Sequence, residues 1–170
     1  MTTDCCDDAC ETTQASTNCP SCGRKGRSAE RITLKALLVS DALKRLTAGE
    51  YRFCAERNCD TVYYGPGGSL FPQGDLTVPT WQKTDDPNVF VCYCFEHSEA
   101  SIRDEIGRTG DTQVEQEIRQ LVQDGRCACE VRNPQGSCCL GNVARVVKAG
   151  RAKEPPVSAG GGSVENWRAG

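Results

Sequence analysis

Cysteine is the residue type that most restricts how this chain can fold. Thirteen of the 170 residues are cysteine, and most of them stand in closely spaced pairs. Leu, Ile, Val and Phe together make up less than a fifth of the chain, so the apolar core open to an ordinary globular domain is thin. We therefore expect metal sites or disulfides to supply much of the stability.

Metal sites are favoured over disulfides by the compartment that the sequence predicts. The first 30 residues contain no apolar segment of the kind that a secretory signal needs, so we expect a cytoplasmic protein. An odd number of cysteines in a reducing cytosol is typical of metal ligands. An export route that leaves no trace in the sequence would instead favour disulfides. No stretch approaches 18 apolar residues, so we expect no membrane insertion.

Several classes of function are excluded by what the chain lacks. The single histidine, His97, excludes sites that need two imidazoles, such as an HExxH protease helix or a Rieske cluster. The formal charge of −3 gives no basic footprint for nucleic acid, although a basic run extends from Arg24 to Arg31. We find no nucleophile with a base, no phosphate loop and no pair of catalytic carboxylates, so we do not expect an enzyme.

Hydrophobic periodicity and turn signals predict an α+β chain with two modules between two tails. In the first module, residues 19–88, the pattern predicts a helix over about 36–47, strands over 51–54 and 61–64, and a connecting loop over 72–88. In the second module, residues 89–150, the pattern predicts an extended entry followed by three helices. Ser98 caps the first helix, and Thr112 opens the second, which Gly125 closes. The third helix is short and contains Leu140, Val143 and Val147. Residues 1–18 and 151–170 are polar and predicted to be disordered tails.

The first cysteine group has the spacing of a structural metal site. Cys19-x-x-Cys22 is followed by Cys54-x4-Cys59, as in a zinc ribbon with a slightly long second pair. Pro20 and Gly23 suit the tight turn that lets two thiolates face one ion. Four thiolates favour tetrahedral Zn²⁺ in a closed site without catalytic function. A redox pair, or free thiols, at Cys19 and Cys22 is the alternative.

The second cysteine group extends through the second module. Its members are Cys92, Cys94, Cys127, Cys129, Cys138 and Cys139. The free N–H groups and the positive dipole end at the start of a helix favour the thiolate form of a cysteine placed there, and some of these cysteines precede predicted helices. Four such thiolates can hold a [2Fe–2S] cluster, but spacing alone leaves a second zinc open.

Two segments resemble the N-terminal domain of CopZ-type copper chaperones. One is Val91-Cys92-Tyr93-Cys94 with the later run from Cys129 through Asn133-Pro134 to Cys138-Cys139-Leu140; the other is Cys19-Pro20-Ser21-Cys22 with the run from Tyr51 to Tyr64. The resemblance covers about residues 19–148. It implies a zinc module followed by a [2Fe–2S] module similar to bacterioferritin-associated ferredoxin (BFD-like). It also implies the cluster ligands Cys92, Cys94, Cys129 and Cys139, with Cys127 and Cys138 in reserve.

The chain departs from that family in one respect. CopZ-type chaperones carry a heavy-metal-associated domain with a Met-x-Cys-x-x-Cys copper loop, and here Met1 is the only methionine. The N-terminal Cys5, Cys6 and Cys10 offer thiolates that select Cu(I), or they form a tail without a role. We expect a cytosolic metallochaperone-like protein in copper or soft-metal trafficking or resistance, which exchanges metal with a protein partner. The alternative is a ferredoxin-like electron-transfer module that docks on a larger redox protein.

Overall fold

The computed structural model describes residues 15–153 and confirms the predicted α+β class. The strands are β1 Arg27–Ala29, β2 Tyr51–Phe53, β3 Thr61–Tyr64, β4 Leu70–Pro72, β5 Phe90–Cys92 and β6 His97–Ser98. The helices are α1 Arg31–Leu37, α2 Ser40–Leu43, α3 Glu99–Thr109, α4 Val114–Gln123, α5 Cys129–Arg132 and α6 Leu140–Lys153. Strands β1 to β4 form one antiparallel sheet in chain order, and β5 pairs with β6.

Aromatic residues fill the core beneath the four-stranded sheet. Tyr51, Phe53, Tyr63 and Phe71 are all at most 1% exposed and pack with Leu34. A count of Leu, Ile, Val and Phe underestimates this core because it leaves tyrosine out. All four tyrosines of the chain are buried, and each hydroxyl has a hydrogen-bond partner. Burial of a tyrosine is favourable only when its hydroxyl is paired in this way.

The helix predicted over 36–47 differs in the structure. Helix α1 begins earlier, at Arg31, and the chain becomes extended at Leu38 and Val39 before the short α2. Leu38 pairs with Leu76 in an isolated antiparallel bridge, and the Val39 N–H donates to the Asp75 carbonyl at 2.8 Å. The backbone hydrogen bonds at this point therefore go to a neighbouring segment instead of to a continuing helix.

The helices of the second part pack around an aliphatic core. Ile102 and Ile106 of α3, Ile118 of α4 and Val143 of α6 are at most 1% exposed. Ser98 caps α3 as predicted, with its hydroxyl accepting from the Ser101 N–H at 3.1 Å.

Three features of this helical part differ from the prediction. Thr112 does not form the expected capping box with Glu115; its hydroxyl donates to the Glu105 carboxylate at 2.8 Å. Helix α6 continues to Lys153, so it is longer than predicted and enters the segment that was expected to be a tail. The four-residue α5 was not predicted, since one helical turn has no periodicity to detect.

The two parts contact each other directly. Helix α1 of the first part packs on α5 of the second. The buried Tyr63 hydroxyl donates to the Pro134 carbonyl at 2.6 Å, and the Gln82 amide donates to Gln135 Oε1 at 2.7 Å. Among residues 15–153, no helix is long and apolar enough to cross a bilayer.

Candidate metal centres

The first candidate centre begins in a tight turn that contains Cys19 and Cys22. The Gly23 N–H donates to the Cys19 carbonyl at 2.8 Å, and the Cys19 N–H donates to the Arg24 carbonyl at the same distance. Gly23 has a φ of 73°, which only glycine adopts without strain, so its predicted role in the turn is confirmed.

The second pair of thiols comes from the loop that joins β2 to β3. Cys54 follows β2 directly and Cys59 precedes β3 by two residues, so the strand pairing fixes both. All four sulfurs lie within 4.8 Å of one another, with Cys19 and Cys59 3.9 Å apart and Cys22 and Cys54 3.6 Å apart. Tetrahedral Zn–S bonds of about 2.3 Å require sulfur separations near 3.8 Å, so the four thiols fit this ion.

The surroundings favour a negative sulfur at Cys19 but oppose one at Cys54 and Cys59. Burial opposes charge on Cys19, but the N–H groups of Ser21 and Cys22 point at its sulfur and lower the thiol pKa. Burial raises the pKa of Cys54 to about 12, although the nearby Lys83 ammonium and the Glu56 N–H both act to lower it. Thiols of such unequal acidity in one buried cluster lose their protons together only when a cation takes their place.

Tyr64, the last residue of β3, packs against this centre. Its ring packs against the buried Cys19, Cys54 and Cys59, and its hydroxyl donates to the Thr17 carbonyl at 2.9 Å. An ion bound by all four thiolates would have no open coordination position for a substrate.

The second candidate centre collects four thiols from three segments. Cys92 ends β5, Cys94 lies in the turn after it, and Cys129 is the first residue of α5. Cys139 directly precedes α6, and its carbonyl accepts from the N–H groups of Asn142 and Val143 at 2.8 and 3.0 Å. The expectation that cysteines directly precede helices thus holds for Cys139, whereas Cys92 and Cys94 are separated from α3 by the strand β6. Cys129 also stands at a helix start, but the helix it opens, α5, was not predicted.

These four thiols are arranged differently from the first four. Cys94 and Cys129 have sulfurs 3.7 Å apart, and the Cys139 thiol contacts both Cys92 and Cys129. Within residues 15–153, the first centre is the one group in which three or more ligand atoms all lie within 4.8 Å of one another. The second set is therefore more extended than a single tetrahedral ion requires.

Hydrogen bonds among the thiols separate their acidities. Donation from the Cys139 thiol lowers the pKa of Cys129 to about 6 and also lowers that of Cys92. The same two contacts, with burial, raise the pKa of Cys139. Burial raises the pKa of Cys94 to about 12, although the Ala128 N–H donates to its sulfur at 3.4 Å.

Buried amide side chains hold the loop that leads to Cys139. Gln135 Nε2 donates to the carbonyls of Ser137 and Cys138, at 3.1 and 2.8 Å, and Asn133 Nδ2 donates to the Ser137 carbonyl at 2.9 Å. Gln135 Oε1 in turn accepts from Asn142 at 2.9 Å. Nothing in the local sequence reveals that these amides are buried.

The remaining predicted thiols lie outside the two groups. Cys127 is half-buried beside Cys129, and Cys138 is exposed although the adjacent Cys139 is buried. Cys129 and Cys139, the cluster ligands that the resemblance implies, are thus more buried than the reserves Cys127 and Cys138. Cys5, Cys6 and Cys10 lie outside the described residues.

Comparison with known proteins agrees with the resemblance found in the sequence. Residues 16–77 match the family model of the CopZ zinc-binding domain, and we refer to this part of the chain as the zinc-binding domain. Copper chaperone CopZ of Archaeoglobus fulgidus is 26% identical over 129 residues, which are 75% of this chain and 60% of that protein. The chain thus spans about three fifths of the length of this curated relative.

A solved structure extends the likeness to the fold of the second part. The X-ray structure of the Archaeoglobus fulgidus CopZ N-terminal domain matches with a TM-score of 0.62 and 24% identity. The match covers 76% of this chain and 96% of that domain. The helical part after residue 77 therefore belongs to the shared fold, beyond the family model of the zinc-binding domain.

Proposed function

We propose that this chain is a metal-trafficking protein in which a structural zinc and a [2Fe–2S] cluster occupy the two thiol groups. Cys19, Cys22, Cys54 and Cys59 hold the zinc. Cys92, Cys94, Cys129 and Cys139 hold the cluster. Copper or another soft ion is the cargo, and a protein partner receives it.

The arrangement of the second thiol group is the observation that supports a cluster over a second zinc. Each iron of a [2Fe–2S] cluster takes two terminal thiolates, so its ligands form two pairs instead of one compact group. The four thiols can be divided into the pair Cys94 and Cys129, 3.7 Å apart, and the pair Cys92 and Cys139, although Cys139 also contacts Cys129. The partly exposed Cys94 brings one edge of the centre to the protein surface.

The copper role draws its support from the relative and from the soft ligands of the chain. The Archaeoglobus fulgidus protein is named a copper chaperone, and thiolates select Cu(I) over harder ions. Cys5, Cys6 and Cys10 remain the predicted soft-metal ligands, since neither thiol group of the described residues has a free coordination position once loaded.

The test is anaerobic purification from iron-replete cells, followed by metal analysis and a visible spectrum. We expect about one zinc and two irons per chain, a red-brown colour and bleaching by dithionite. A colourless protein with two zincs would refute the cluster. Titration with Cu(I) then tests the cargo, because a chaperone binds Cu(I) stoichiometrically without losing zinc or iron.

Electron transfer to a larger redox partner is the second candidate. The partial exposure of Cys94 and the exposed neighbour Cys138 favour it, because electron exchange needs a centre near the surface. A protein that takes up no Cu(I) but whose cluster reduces and reoxidises reversibly would support this function.

A further inference from the structure

A cationic cleft lies where the two parts of the chain meet. Its volume is about 360 Å³, which is within the range of small-molecule sites. The cleft is lined by Arg27, Ala55, Glu56, Arg57, Trp81, Gln82, Asn142 and Arg145. The three guanidinium groups come from β1, from the loop between β2 and β3, and from α6, so the cleft is formed by both parts.

The charges in this cleft are unbalanced, although the chain as a whole is acidic. Glu56 is the only carboxylate of the lining, and it already pairs with Arg24 outside the cleft at 3.3 Å. Arg57 pairs with the exposed Asp85. Neither Arg27 nor Arg145 forms an ion pair with any of residues 15–153. Like charges collected in a concave site repel unless an anion joins them.

Two of the guanidinium groups are held in position before any ligand arrives. Arg145 stands 5.6 Å above the centre of the Trp81 ring and donates to the Asn142 amide oxygen. Arg57 donates to the Thr84 carbonyl at 2.8 Å. A planar guanidinium fixed in this way presents its remaining N–H groups as a fork that matches the oxygens of an oxyanion.

We propose that this cleft binds a small oxyanion with two negative charges, which bridges Arg27 and Arg57 of the first part to Arg145 of the second. Dicarboxylates and tetrahedral oxyanions share this chemistry. Because the bound anion contacts both parts, it stabilises their docked arrangement by mass action. The cleft borders the first thiol group, because Ala55, Glu56 and Arg57 lie between Cys54 and Cys59, but its lining contains no thiol. The proposal depends on neither the cluster nor copper.

Calorimetric titration of the metal-loaded protein tests the cleft, with sulfate and succinate as the probes and sodium chloride at matched ionic strength as the blank. We expect binding of sulfate, succinate or both. Sulfate alone identifies a tetrahedral oxyanion as the ligand, and succinate alone identifies a dicarboxylate. Arg145→Gln and Arg27→Gln should each weaken binding about tenfold or more.

Arg119→Gln is the matched control, since it makes the same change of charge on the exposed face of α4, where Arg119 pairs with Glu115. Arg27 is an exposed strand residue, so its variant keeps the test valid if Arg145→Gln fails to fold. The proposal is overturned if neither probe binds the unmodified protein, or if Arg119→Gln weakens binding as much as the two cleft variants.

Discussion

The hydroxyl of Tyr63 donates to the carbonyl of Pro134 at 2.6 Å, in a buried contact between residues 71 positions apart. Tyr63 belongs to β3 of the zinc-binding domain, and Pro134 starts the loop that leads to Cys139. Tyr63 is fully buried, and burial raises its pKa far above the ordinary value, so the hydroxyl stays protonated and remains a donor. Through this bond β3 is tied to the loop that leads to Cys139.

Removing that hydroxyl should loosen the contact between the two parts. In Tyr63→Phe the buried Pro134 carbonyl loses its partner, which costs about 1–3 kcal/mol of unfolding free energy. We expect faster amide exchange over residues 133–139, with a faster loss of iron on exposure to a chelator.

Tyr51→Phe is the matched control for this change. Its hydroxyl bonds to Thr47 within the zinc-binding domain, at 3.1 Å. Tyr51→Phe should lower the unfolding free energy to a similar extent without changing amide exchange over residues 133–139. Equal exchange at this loop in both variants would contradict the role of the Tyr63 contact.

The features that depend on neighbouring residues could be predicted from the sequence, whereas the features that depend on long-range contacts could not. Cys19-x-x-Cys22 and Gly23 describe one turn, so their geometry follows from neighbouring residues alone. Cys54 and Cys59 are placed by the β2–β3 hairpin, whose two strands the aromatic and β-branched residues already indicated.

What the sequence did not reveal depends on tertiary placement. Gln135 is a polar residue in a turn, yet it is only 3% exposed, and its side chain bonds to Gln82 of the first part and to Asn142 of α6. The break after α1 likewise results from a bridge between Leu38 and Leu76, which are far apart in the chain. Periodicity describes one segment at a time and does not detect such partners.

Zinc removal should disorder the first part more than the second. Metal binding by four thiolates supplies folding free energy, and the turn at Cys19 has little else to hold it. After chelation, or in Cys19→Ser with Cys54→Ser, we expect amide exchange to rise over residues 19–26 and 54–61. Helices α3, α4 and α6 keep an aliphatic core of their own and should stay protected. An exchange pattern unchanged by zinc loss would contradict a structural zinc.

The choice of cluster ligands is testable with single serine variants. Cys129→Ser should abolish the visible spectrum and the iron content of about two per chain. Cys127→Ser is the matched control, because it changes a half-buried thiol two residues away and should retain both. Loss of iron in Cys127→Ser with retention in Cys129→Ser would reverse the assignment.

Gly26 should tolerate no side chain, since an added Cβ would lie 2.2 Å from the Tyr64 hydroxyl. Gly26→Ala forces the Tyr64 ring to move against the sulfurs of the first centre, and overpacking of this kind costs about 1–3 kcal/mol. We expect a lower urea midpoint and faster transfer of zinc to a chromophoric chelator. Gly74→Ala, where no atom lies within 4 Å of the added carbon, should change neither.

The soft-metal prediction concerns the thiols of the N-terminal segment. Cys5, Cys6 and Cys10 lie within six residues, so three sulfurs of one short segment can reach a single Cu(I) in digonal or trigonal coordination, whereas zinc requires a fourth ligand. The neighbouring Asp4, Asp7, Asp8 and Glu11 attract cations, and proton release on metal binding overcomes the higher thiol pKa that such charges cause. Deletion of residues 1–12 should therefore remove one Cu(I) equivalent in a competition titration, with zinc and iron unchanged. Replacement of the three cysteines by serine at full length should have the same effect, and Cu(I) uptake that survives both changes would exclude this segment as the copper site.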